Sequence, residues 1–65
     1  MSYHIHINDE AGLWSCSGPY RTVESAVTQV EWIISRRQDG PWKRVKKSNY
    51  WQKPNSEHYI EIVEE

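Results

Sequence analysis

Thr22-Val23-Glu24-Ser25-Ala26-Val27-Thr28-Gln29-Val30-Glu31-Trp32-Ile33-Ile34-Ser35-Arg36-Arg37-Gln38 is the stretch on which the fold turns. At roughly 100° per residue, Val23, Ala26, Val27, Val30, Ile33 and Ile34 fall on one face, which predicts an amphipathic helix with a single stripe to bury. Thr22 is placed to cap it by accepting a backbone N–H from the first turn; Glu24 suits the positive end, and Arg36 and Arg37 suit the negative one. Asp39-Gly40-Pro41 is the expected stop, because Gly tolerates a left-handed residue and Pro cannot continue the ladder. Trp32 lies about 180° from the stripe and cannot enter the core that the stripe builds. It needs other cover: Arg36 stacked on its ring, the later connection from Trp42 to Trp51 folded over it, or a partner molecule.

Upstream, Tyr3, Ile5 and Ile7 alternate with His4, His6 and Asn8, the period of a strand with one buried face. Asn8 to Gly12 reads as a five-residue hairpin loop closed by Gly12 at positive φ, and Leu13 to Ser17 as the returning strand, ended by Gly18-Pro19. With Ile7 opposite Leu13, the core face would hold Tyr3, Ile5, Ile7 and Leu13, and the other face His4, His6, Trp14 and Cys16. Downstream, Trp42 to Lys47 reads as a strand with little to bury and a lysine load suited to a sheet edge. Ser48 to Ser56 is expected to be loop, with Lys53-Pro54-Asn55-Ser56 as its turn. Glu57 to Val63 returns as a strand with Ile60 and Ile62 inward and Tyr59, Glu61 and Val63 outward. The expected order is β-β-α-β-β, one α+β domain over residues 1–65 with the helix on one face of an antiparallel sheet.

Sixty-five residues bury only about 60% of the unfolded surface, so such a domain is marginal unless something reinforces it. The single Cys16 cannot form an internal disulfide, which makes a reducing compartment, the cytoplasm, the expected location. No signal peptide and no bilayer-spanning run is readable, and no membrane partner is expected. The apolar content includes four Trp and four Tyr with no Phe, so burial relies on rings with polar tips. Net charge is only −1, but it is unevenly laid out: Arg36 to Lys53 holds seven basic residues and one acid, against one arginine and eight acids elsewhere. The chain is therefore an electrical dipole in sequence.

That basic segment is interleaved with rings: Arg36, Arg37, Trp42, Lys43, Arg44, Lys46, Lys47, Tyr50, Trp51 and Lys53. Cations neutralise phosphates or carboxylates, and rings stack on unpaired bases at about 1 to 3 kcal/mol each. These residues, with Trp32, are the candidate partner-binding set of a small non-catalytic binding module, and its partner is an acidic protein surface or nucleic acid. The competing reading is a solvated edge strand whose rings pack internally. No ribonucleoprotein octamer, zinc-finger spacing or helix-turn-helix pair is present.

Other chemistries are less supported. His4, His6 and Cys16 could share one sheet face, but they lack the paired short motifs of structural zinc sites, and no metal or cofactor is expected. Cys16 has no base held in place beside it, and Gly12, Gly18 and Gly40 are isolated turn residues, so an enzyme is not expected. Self-association into a homodimer, across the face bearing Trp14 or along the edge strand, is a further alternative.

The order of a hairpin, a Thr-Val-Glu-Ser-Ala-Val helix start and a strand resembles the β-β-α-β half-domain of HicB-type antitoxins over Tyr3 to Lys47. The second strand departs from that family in lacking its acidic and glycine positions, and no site residue carries over. In size and charge polarity the chain is also similar to compact phage-encoded inhibitor proteins. That likeness implies binding to a host protein complex and carries no residue over; in this alternative reading the contact would be made by Trp32, set off the helix stripe, and its neighbours.

Overall fold

The computed structural model describes residues 2–38, 40–46 and 48–64, with the backbone alone for Cys16 and Ser17. Thr22 caps helix α1 (Val23–Arg36) from an extended backbone, φ −131° and ψ 157°, its hydroxyl oxygen accepting the Ser25 N–H at 3.1 Å. Ala26 and Val30 from the predicted stripe are fully buried, and Val27, Ile33 and Ile34 flank them. The helix ends before Gln38: Arg37 is extended at φ −86° and ψ 145°, and its N–H bonds the Ile34 carbonyl at 3.1 Å. The Arg37 side chain turns instead to Asp9, as described below. Asp39, part of the expected stop, lies outside the described residues.

The strands are β1 (Tyr3–Asp9), β2 (Gly12–Tyr20), β3 (Lys43–Arg44), β4 (Tyr50–Gln52) and β5 (Tyr59–Glu64). They form one five-stranded sheet in the order β2-β1-β5-β4-β3, antiparallel throughout, with α1 on one face. The α+β class with one helix on an antiparallel sheet is as expected, but the order gains a strand. β4 occupies part of the stretch read as loop, because three residues with one inward ring are too short to show a period of two. The predicted Trp42–Lys47 strand shrinks to Lys43–Arg44 at the sheet edge.

The first hairpin is tighter than its sequence suggested. Asp9 pairs with Gly12 across a two-residue turn, Gly12 has φ +100°, and the Asp9 carboxylate accepts the Ala11 N–H at 2.9 Å. Ile7 therefore faces Trp14, and Leu13 faces Asn8. A one-residue slip exchanges the two faces of a strand. Leu13, expected in the core, is consequently 65% exposed on the outer face. Gly18-Pro19 does not end β2; the strand continues to Tyr20, and the extra residues are taken up as a break in register between Tyr3 and Ile5. Proline is tolerated there because β2 is an edge.

Ile5 and Ile7 from β1 meet Ile62 and Ile60 from β5 under α1, giving the centre of the core. The helix backbone lies over β2, β1 and β5. Trp51, opposite Ile60, and Trp42 fill the remaining helix-side space, at 3% and 8% exposure. Two indoles thus do on this side what a second helix would do, each bringing roughly 150 to 250 Å² of surface to burial.

Candidate functional site

The predicted partner-binding residues separate into four groups. Trp42 and Trp51 lie in the core, which removes both indoles from any contact surface. A guanidinium lies over each ring: Arg37 is 5.5 Å from the Trp42 ring centre and Arg44 is 5.2 Å from that of Trp51. Arg44 pairs with Trp51 across β3 and β4, and its Nε donates to the Ser48 carbonyl at 2.7 Å in the β3–β4 turn. The planar, weakly hydrated guanidinium suits this position over a ring.

Trp32 is the exception among the indoles of this set, at 53% exposure on the outer surface of α1. Arg36, one turn on, stands 4.6 Å from its centre, the stacking that the helical spacing allows. Trp42 and Trp51 at the two ends of the later connection pack into the core, and among the described residues Trp32 is left half-exposed. The backbone of α1 does not approach β3 or β4, while Arg37, just past the helix, lies over Trp42, the neighbour of Lys43.

The lysines follow the edge. Lys43 projects with Gln52 on the outer face, Lys46 stands in the turn at φ 53°, and Lys53 follows β4 directly. Among the described residues no carboxylate lies within ion-pair distance of Lys43, Lys46 or Lys53. Glu61 and Glu64 belong to β5, one strand removed from β3, and Glu61 is aligned with Tyr50 and His6. Lys47 lies outside the described residues.

Tyr50 sits on the outer face, stacked on Tyr59 with ring centres 5.4 Å apart and planes 16° from parallel. Burial, then the neighbouring Tyr59 and Glu61, push the Tyr50 phenol above its ordinary pKa, so it stays neutral. The stacking partner was legible only as an outward ring of β5; that the two meet follows from the diagonal across β4 and β5.

One polar cluster was missed from sequence. Asp9 Oδ2 accepts from Arg37 at 3.0 Å, and Asp9 Oδ1 accepts from Ala11 N–H and, at 3.1 Å, from Trp14 Nε1. This ties the first hairpin to the C-terminal end of α1. Burial alone would raise the Asp9 pKa, but the hydrogen bonds from Trp14, Ala11 and Arg37 outweigh it and hold the carboxyl below the ordinary range. The hairpin register also sets Cys16 opposite Ile5 and not His4, so the suggested His4, His6 and Cys16 grouping is not aligned; the Cys16 side chain lies outside the described residues. His4 and His6 pair instead with Val63 and Glu61.

No family model, curated protein or solved structure matches the chain. The likeness to the HicB-type half-domain rests on element order and the start of α1, and in this sheet β5, which follows the span of that likeness, lies between β1 and β4.

Proposed function

We propose that this protein is a small non-catalytic binding module that contacts an acidic protein surface through the β3–β4 edge, with Lys43, Lys46 and Lys53 as the contacting charges. The observation that carries the reading is the division of labour among the cations: arginines lie over indoles, and the edge lysines have no acid beside them among the described residues. A protein partner is favoured over nucleic acid because Trp42 and Trp51, the rings that would have stacked on bases, are committed to the core. The exposed pair Trp32 and Arg36 is of the residue types found at interface centres and extends the same reading to the helix surface. The cytoplasm is the compartment that goes with it; no helix among the described residues is long and apolar enough to cross a membrane.

The test is fluorescence anisotropy with a labelled polyglutamate peptide and with single-stranded DNA, over a range of salt. The wild type should bind the peptide with an affinity that falls as salt rises, and Lys43→Glu/Lys46→Glu/Lys53→Glu should abolish it with the fold intact. Tighter binding to the DNA, with quenching of tyrosine emission, would move the assignment to nucleic acid. No salt-dependent binding to either probe would end it.

A further inference from the structure

The two edges of the sheet are built differently. β3 is two residues long and carries Lys43 and Arg44, the short, charged form that discourages pairing with another chain. β2 is nine residues long, and no charged residue occurs from Ala11 to Tyr20. Residues 12–16 pair regularly with β1, before the break in register that precedes Tyr20. An edge strand aims the N–H and C=O of alternate residues away from its sheet. Nothing among the described residues pairs with this side of β2, and Leu13 and Trp14 on it are 65% and 39% exposed.

We propose that β2 is a self-pairing edge: two copies of this chain join antiparallel along residues 12–16 about a two-fold axis, making one sheet continuous through both. A second copy is the occupant that the strand's chemistry selects. Two uncharged edges meet without repulsion, whereas an acidic or basic peptide would gain no attraction from this stretch. Antiparallel pairing about a two-fold is self-complementary, so each outward N–H meets a C=O of the same strand in the other copy. Leu13 aligns with Asn8 on the outer face and Trp14 with Ile7 on the helix side, so the join covers an apolar side chain on each face. A head-to-tail join of β2 to β3 would offer only the two residues Lys43 and Arg44. Association also supplies the reinforcement that a 65-residue core with one cysteine lacks. The surface is the edge opposite the lysines, so this inference and the proposed function stand or fall separately.

Sedimentation equilibrium from roughly 1 µM to 1 mM, with amide hydrogen exchange at both ends of the range, tests it on the wild type and on Ser15→Lys. Ser15 is exposed and near the middle of the paired stretch, so the substitution sets like charges against each other at the join. The wild-type mass should rise toward twice the monomer value while exchange at residues 12–16 slows. Ser15→Lys should remain folded and associate at least about tenfold more weakly. If that variant fails to fold, the concentration-dependent exchange of the wild type decides alone. A wild type that stays monomeric, protection that grows elsewhere in the sheet, or a folded Ser15→Lys that dimerises unchanged would each overturn the proposal.

Discussion

Arg36, Arg37 and Arg44 each lie over an indole, while among the described residues no carboxylate pairs with the lysines of the same segment. Hydration separates the two residue types: a guanidinium gives up water easily and stacks, whereas an ammonium holds its shell and stays outside. The sequence set Trp32 off the helix stripe but did not show that Trp42 and Trp51 were inside, because both stand among basic residues. Position in the sheet decides it, since Trp51 lies opposite Ile60 and Trp32 points away from the stripe. Trp51→Ala should therefore cost about 3 to 5 kcal/mol, comparable with the whole stability of so small a domain. Trp32→Ala should lose only the stacked Arg36, about 0.5 to 1 kcal/mol. Urea denaturation of the two variants checks the contrast, and equal losses would place Trp32 in the core after all.

Among the elements, α1 and the faces of β1 and β5 were legible because each repeats its period long enough to read. The turn at Lys53-Pro54-Asn55-Ser56 was legible too, Asn55 taking φ 62° as Asn can. What escaped was register, which is set by turn length and not by strand composition. Asp9 holds that turn, accepting from Ala11 within the hairpin and from Arg37 of the helix end. Its carboxyl pKa is lowered in the folded state, so its contribution is fully present above the ordinary aspartate range and is lost as pH falls through the lowered value. The urea midpoint should drop below about pH 4, and Asp9→Asn should be less stable than wild type at neutral pH but converge on it in acid. A constant gap between the two down to the lowest pH would show that the charge is not what joins hairpin to helix. Gly12 makes a separate demand: a Cβ there would meet no atom within 4 Å, but φ is +100°. Gly12→Ala should thus cost about 1 kcal/mol through backbone strain alone, read as a shift in the same midpoint.

For the whole molecule, the order β2-β1-β5-β4-β3 puts the uncharged edge and the lysine edge at opposite ends of the sheet. Joining two copies at β2 leaves both lysine edges outermost. Strands spaced at ~4.8 Å then set the two β3 edges roughly 40 to 45 Å apart. One such edge, in contact with a single acidic site, holds by few screened charges and releases quickly. Two edges on one rigid body, facing a partner that repeats its acidic site at that separation, turn the second contact into an intramolecular event. Dissociation from polyglutamate peptide immobilised at high density should accordingly be about tenfold or more slower than at low density for the wild type. In Ser15→Lys, which adds a cation but breaks the join, the two densities should give the same rate. Taking the ratio between densities for each protein removes the effect of the added lysine on either rate. A wild-type ratio near one, under conditions where the dimer is present, would mean that the two edges do not engage a common surface.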